Sequence, residues 1–311
     1  MPELPEAETI ARQLHGLLSG ARIERVIHLR RDMIKNRPPT RDCPPTRDCS
    51  PTRDCSPTRD CSPRRVPAWL AGANIERVAR RGKRVVVHLQ NARGIIFFLG
   101  MTGHLSVPPV RTALRPHTHV RIGLRGRRRE LRFSDPRRFG GLRFFDMSDG
   151  RTPAGLAELG LEPLEMTLRE FRVLLARRRQ IKALLMDQHV IAGLGNIYCD
   201  EALFRAGIHP LEPAADIDAP RVGCLCRAIR SVLRASIKAQ GTTVLSYENV
   251  EGPGGFQKQL RVYGRESQPC PSCRAPIVRF VAAGRSAHVC PRCQPLPGKA
   301  LQDTARRGDS T

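Results

Sequence analysis

Cys270-Pro271-Ser272-Cys273, sixteen intervening residues, then Cys290-Pro291-Arg292-Cys293: this stretch decides how the chain ends. Two Cys-x2-Cys knuckles at that separation bring four thiolates into a tetrahedron, the arrangement a structural zinc ion takes, and the residues between them have room for one β-hairpin. A redox dithiol needs only one knuckle, so the duplication favours a metal. Zinc binding of this kind contributes roughly 10 to 16 kcal/mol, enough to fold a segment too short to hold itself. Cys270, Cys273, Cys290 and Cys293 are therefore the expected ligands of one structural Zn2+.

Upstream of this finger the hydrophobic period is helical. Thr167 and Glu170 form a capping box ahead of Leu168, Phe171, Leu174 and Leu175. Ile181, Leu184 and Leu185 mark a second helix, and Val222, Leu225, Ile229, Leu233 and Ile237 a longer one over 220–238. Gly193-Leu194-Gly195-Asn196-Ile197-Tyr198 interrupts them with a glycine turn, and a new helix should begin near Tyr198.

Before residue 147 the pattern is β-rich, apart from an amphipathic helix over 5–19 with Gly20 as its C-cap. Ala21 to Val26 is echoed by Ala73 to Val78; Val85-Val86-Val87 and Ile95-Ile96-Phe97-Phe98 follow. Val120 to Leu124 and Leu131 to Phe133 flank an arginine-rich turn at Gly126. The predicted fold class is α+β: an N-terminal β-sandwich with flanking helices over 1–147, a linker over 148–160, a helical domain over 161–260 and the four-cysteine β-hairpin finger over 261–294. The tail, 295–311, is expected to be disordered.

A hexapeptide repeat, TRDCPP followed by TRDCSP, occupies 40–63 between the early strands. Its arginines cancel its aspartates and its prolines forbid a helix, so a flexible surface insertion is expected. Cys43, Cys49, Cys55 and Cys61 recur every six residues. A metal role for them stays open, although zinc favours shorter paired spacings.

Charge narrows the partner. With 53 Lys+Arg against 29 Asp+Glu the formal net charge is +24, which points to a polyanion, with nucleic acid ahead of a membrane surface. No apolar run long enough to span a bilayer is present, and Glu3, Glu6 and Glu8 stand where a secretory signal would be basic and apolar. A cytoplasmic protein is expected. Eleven cysteines, an odd number, fit reduced thiols plus a metal site better than a disulfide framework.

The chain opens Met1-Pro2-Glu3-Leu4-Pro5-Glu6. Removal of Met1 would leave Pro2 as a free secondary amine, and an α-amino group titrates near ~7.7 to 8.0, so part of it is nucleophilic at neutral pH. Such an amine can add to a sugar C1′ and collapse to an iminium.

Taken in order, Pro2-Glu3-Leu4-Pro5-Glu6, Asp135-Pro136-Arg137-Arg138-Phe139-Gly140, Gly195-Asn196-Ile197-Tyr198 and the four-cysteine finger resemble the formamidopyrimidine-DNA glycosylases. These are bacterial base-excision repair enzymes for oxidised purines. The resemblance covers residues 2 to about 294 apart from the repeat, and it implies a helix-two-turn-helix domain in the helical region. It also implies a bifunctional DNA glycosylase and AP lyase for 8-oxoguanine and formamidopyrimidines, binding damaged double-stranded DNA as a monomer.

Residue by residue, the resemblance makes Pro2 the nucleophile, Glu3 the neighbouring acid/base and Glu6 a second carboxylate near the same site. Lys83 would hold phosphate beside the lesion, and Arg285 would grip phosphates from the finger. Met101, Arg137 and Phe139 would fill the gap left by an extruded base, with Arg137 bonding the orphaned partner. Asn196, Lys182 and His117 would be further DNA contacts. Taken singly these residues have plainer readings. Glu3 and Glu6 suit the first turn of a helix, Lys83 a solvated strand end, and Met101 and Phe139 a core. Nine arginines between Arg121 and Arg143, against Glu130 and Asp135 alone, favour DNA.

Two rival functions remain at this stage. An endonuclease VIII type shares the fold and nucleophile but prefers oxidised pyrimidines; Leu4 speaks against it, since that branch typically has Gly there. A catalytically silent zinc-finger DNA-binding protein is the other.

Overall fold

A computed structural model describes residues 2–35, 66–243 and 247–297. The hexapeptide repeat and residues 298–311 lie outside them. The described residues divide into two compact units: 2, 6–35, 66–158, 243 and 247–254 form the first, and 3–5, 159–242 and 255–297 the second.

The first unit holds α1 (Leu4–Leu18, its opening residues counted with the second unit), β1 (Ile23–Leu29), α2 (Val66–Leu70), β2 (Ile75–Arg81), β3 (Arg84–Leu89), β4 (Arg93–Phe98), β5 (His104–Ser106), β6 (Thr118–Leu124), β7 (Glu130–Ser134) and β8 (Gly141–Asp146). The strands make two antiparallel four-stranded sheets, ordered β1-β6-β7-β5 and β2-β3-β4-β8. One core joins them with α1: Ile10, Leu14 and Leu18 pack with Val85, Val87, Ile95 and Phe97 of one sheet and Val120, Ile122 and Phe133 of the other. Alternation along β3 sends Val86 to the opposite face, where it meets Ile96 and Phe145 in a second cluster. A continuous valine run is what a strand buried on both faces requires.

The second unit contains α3 (Leu168–Leu175), α4 (Ile181–Leu185), α5 (Asn196–Ala206), α6 (Ala219–Lys238), β9 (Val278–Ala282) and β10 (Arg285–Val289). The Thr167/Glu170 capping box is present and opens α3. Asp218 accepts the Arg221 amide at 2.9 Å to start α6, with Pro220 in its first turn. Phe171, Leu184, Leu203, Leu225 and Ile229 fill the helical core. Leu168, placed by its period on the buried face of α3, is instead exposed at the helix's first position, before the stripe turns inward. A small third cluster, with Phe204, Val262, Ile277, Cys270 and Cys290, underlies the β9–β10 hairpin.

Residue 243 and residues 247–254, which follow the helices in sequence, are grouped with the β unit. The cause is packing. Tyr247 joins the sandwich core and its hydroxyl donates to the Glu6 carbonyl at 3.4 Å, while the Gln13 amide donates to Asn249 Oδ1 at 3.1 Å.

Candidate active site and nucleic-acid interface

In the first unit, Pro2 is buried and Glu6 is buried in the opening turn of α1. Burial, together with the Glu6 charge, raises the pKa of Tyr247, so this phenol stays a protonated donor. Lys83 sits half-buried in the two-residue turn joining β2 to β3. His117 is exposed, with φ of +60°, just before β6, and its carbonyl accepts the Asp135 amide at 3.1 Å.

Met101, Arg137 and Phe139 come together. The Arg137 guanidinium lies 4.6 Å from the centroid of the Phe139 ring, and its Nη1 donates to Met101 Sδ at 3.4 Å. Phe139 is 58% exposed, so the plain reading of it as a core residue is excluded. Its loop is shaped from beneath by Asp135, a fully buried carboxylate to which the sequence reading assigned no role. Asp135 accepts the Gly140 amide at 2.7 Å and the Arg137 amide at 3.3 Å, and takes the Thr102 hydroxyl as well. Gly100 closes the arrangement: it adopts φ of +58°, and a Cβ there would stand 2.5 Å from the Gly140 nitrogen. The two loops therefore meet backbone to backbone, which brings Met101 beside Arg137. An acid within an arginine-rich stretch was the available signal for Asp135.

The arginine run from 121 to 143 is not one surface. Glu130, fully buried, pairs with Arg121 at 3.0 Å and Arg132 at 2.5 Å, so those two are neutralised within the sheet.

In the second unit, Glu3 provides what α5 lacks. Gly195 is the N-cap and has no side chain to bond the first amides. Glu3 takes that place, with Oε1 accepting the Ile197 amide at 3.0 Å and Oε2 the Tyr198 amide at 3.4 Å. A carboxylate at a helix N-terminus is stabilised by the free N–H groups and the helix dipole. The Tyr198 hydroxyl bonds Ser236 at 2.6 Å and Thr242 at 2.7 Å, tying α5 to α6 and to the start of the following loop.

Asn196 is partly buried; its Nδ2 donates to Ser286 Oγ at 3.3 Å, and its Oδ1 is buried without a hydrogen-bond partner. Arg285 is exposed at the tip of the β9–β10 hairpin. Lys182, expected as a further DNA contact, lies inside the unit. Its side chain is fully buried, with Nζ 2.6 Å from Asp200 Oδ1 and 2.6 Å from the Ser286 carbonyl. Asp200 also receives the His288 amide at 3.0 Å. Lys182 thus holds β10 to α5 rather than facing solvent, since moving it to a phosphate would strand a buried carboxylate.

The four finger cysteines converge, their Sγ atoms all within 4.8 Å of one another. Cys270 and Cys293 are 3.9 Å apart and Cys273 and Cys290 3.3 Å apart, where tetrahedral thiolates about 2.3 Å from zinc would be separated by about 3.8 Å. In each knuckle a backbone amide donates to the first sulfur, Ser272 to Cys270 and Cys293 to Cys290, both at 3.4 Å. Such donors favour thiolates, so the donor set fits a metal ion.

Three family models match: the Formamidopyrimidine-DNA glycosylase N-terminal domain over 1–142, the Formamidopyrimidine-DNA glycosylase H2TH domain over 159–248, and the Zinc finger found in FPG and IleRS over 267–296. Formamidopyrimidine-DNA glycosylase of Thermus thermophilus is 39% identical over 300 residues, covering 94% of this chain and 98% of the relative. The crystal structure of MutM (Fpg) from Thermus thermophilus superposes with a TM-score of 0.77 at 37% identity, covering 96% of this chain and 100% of that one. A complex of Lactococcus lactis Fpg with abasic-site DNA gives 0.80 at 27% identity, covering 94% and 100%. Motif order, architecture and these likenesses agree, and the chain belongs to the formamidopyrimidine-DNA glycosylase family.

Proposed function

We propose that this chain is a bifunctional DNA glycosylase and AP lyase that removes oxidised purines, 8-oxoguanine and formamidopyrimidines, from duplex DNA. The observation that carries the reading is Glu3, the residue directly after Pro2, with its carboxylate fixed on the Ile197 and Tyr198 amides.

Once Met1 is removed, the Pro2 nitrogen adds to C1′ of the damaged nucleotide and the base departs with the electron pair of the glycosidic bond. The Glu3 carboxylate takes the proton that the ring nitrogen now carries, the freed lone pair forms the iminium as the C1′–O4′ bond opens, and Glu3 passes that proton to O4′. The α5 amides stabilise the carboxylate left behind. Water removes a C2′ proton, the C–H electron pair flows toward the iminium, and the 3′ phosphate leaves with the electron pair of its C–O bond; loss of a C4′ proton to water then expels the 5′ phosphate in the same way.

Extrusion of the base costs a few kcal/mol of stacking, and Met101 and Phe139 are apolar wedges suited to the vacated space. Arg137, held between them, offers donors to the unpaired partner base. Lys83, His117, Asn196 and Arg285 contact phosphates, and Glu6 supports the site around Pro2. Cys270, Cys273, Cys290 and Cys293 hold one zinc ion, whose role is to fold the hairpin that presents Arg285. The protein acts as a monomer in the cytoplasm; no helix among the described residues is long and apolar enough to cross a membrane.

Borohydride reduction on a duplex with 8-oxoguanine opposite cytosine tests this reading. The expected product is a covalent adduct whose peptide map places the reduced sugar on Pro2. Attachment to a lysine would overturn the mechanism, and no adduct from fully Met-processed protein would leave a DNA-binding protein without lyase activity.

A further inference from the structure

At the end of the β6–β7 hairpin remote from Phe139, the first unit carries a cavity of about 570 Å³. Arg25, Arg111, Arg127, Arg128 and Arg129 line it, and Glu24 is the single carboxylate among its lining residues. All six are exposed, and among the described residues none of them forms an ion pair. Two arginines turn one nitrogen to the backbone, Arg127 to the Leu17 carbonyl and Arg129 to that of Val107. Some arginines of this unit are neutralised, Arg80 by Glu8 at 2.8 Å and Arg93 by Asp146 at 3.3 Å, besides the pair held by Glu130; those around the cavity are not. Five positive charges against one negative are left uncompensated here. Their mutual repulsion opposes the folded state, and an anionic ligand would relieve it.

The floor is apolar. Ile27 is 37% and Val110 45% exposed, and Leu124 is buried beneath them. No aromatic side chain lines the cavity, so there is no platform for stacking a base. A duplex backbone presents only phosphate and sugar, which have no use for a concave aliphatic floor. The seven residues of β6 span about 20 Å at ~3.3 Å each, which separates the cavity from His117 and the wedge loop.

We propose that this cavity docks an acidic segment of a partner protein, with an apolar side chain seated on Ile27 and Val110 and flanking carboxylates on the arginine rim. Arginine's planar fork suits bidentate carboxylate contacts, and the aliphatic floor supplies the apolar anchor that interfaces favour. The inference stands apart from the chemistry assigned to Pro2.

The test is fluorescence anisotropy with the full chain and a fluorescein-labelled hexapeptide carrying two aspartates on each side of a leucine-phenylalanine pair. Expected is saturable binding that weakens with salt and falls at least about tenfold both in the Arg25→Glu/Arg111→Glu double variant and when serines replace the apolar pair. Thermal melting and 8-oxoguanine excision of the double variant should match the parent, which shows that it folds. No binding at about 1 mM peptide overturns the proposal. So does equal binding of the serine peptide, which would mean a charge sink without an apolar anchor. A loss of affinity for an undamaged duplex as large as the loss for the peptide would assign the surface to DNA and overturn it equally.

Discussion

Glu3 lies against Gly195 so closely that a methyl group on the glycine would stand 2.3 Å from Glu3 Cδ and 2.4 Å from its Oε1. The backbone at Gly195, φ −135° and ψ −161°, is extended and open to any residue, so the requirement for glycine is purely steric. The absent side chain leaves the carboxylate room to reach the first amides of α5.

Gly195→Ala should therefore displace the Glu3 carboxylate, the far end of a flexible side chain, without breaking the fold. Borohydride trapping and excision are expected to fall about 100-fold or more, since a misplaced proton donor is costly. Loss of the cap should cost only about 1 kcal/mol. Affinity for a duplex containing an uncleavable abasic analogue should stay within about threefold of the parent. Trapping at the parental rate would mean that Glu3 does not take part in ring opening.

Asp135→Ala removes one acceptor from three donors, Thr102 Oγ1 and the Arg137 and Gly140 amides. Leaving buried donors unsatisfied costs roughly 1 to 3 kcal/mol each, less where water can enter. A stability loss of about 2 to 4 kcal/mol in urea is expected, and damaged-duplex affinity should drop as the loop carrying Arg137 and Phe139 loosens. Combining it with Phe139→Ala should give less than the sum of the two binding losses. Full additivity would show that Asp135 does not act through the wedge.

Phe139→Ala separates a wedge from a core residue. Because the ring is 58% exposed, its removal should change the melting midpoint by no more than about 0.5 kcal/mol in free-energy terms. Excision from duplex DNA should fall at least tenfold, on the order of the stacking the wedge replaces. A damaged base in single-stranded DNA needs no such filling and should show a smaller loss. Equal losses on both substrates would count against the wedge role.

Local signals were legible in the sequence and distant ones were not. The Thr167/Glu170 cap and the paired cysteine knuckles involve residues a few positions apart, so spacing alone carries their geometry. The valine run of β3 announced a strand, but that Val86 faces a different core from Val85 and Val87 depends on Phe145 and Leu156, far along the chain. Glu201 is the clearest loss. Fully buried, it accepts the Arg261, Val262 and Tyr263 amides at 2.9 to 3.0 Å, and nothing within α5 hints at donors sixty residues away. The surroundings of Lys182 are hidden for the same reason: a lysine looks solvated until Asp200 and the Ser286 carbonyl are found around it.

Acid should loosen the β unit through His88. This imidazole, on β3 with its ring at 75° to that of Phe145, has its pKa pushed down to about 4 by burial, with the Arg77 charge adding to the effect. In the unfolded chain histidine titrates near 6.5, so as pH falls from about 6.5 toward 4 the unfolded state takes up a proton that the folded state refuses. The contribution is fully present above pH ~6.5 and is lost across that window. Allowing for solvent screening around a partly exposed ring, the loss between pH 7 and pH 5 should be about 1 kcal/mol. His88→Asn, which does not titrate, should flatten that part of the profile whatever it does to stability at pH 7. Urea midpoints at pH 7, 6 and 5 for both proteins check it, and parallel profiles would show that another group governs the acid response.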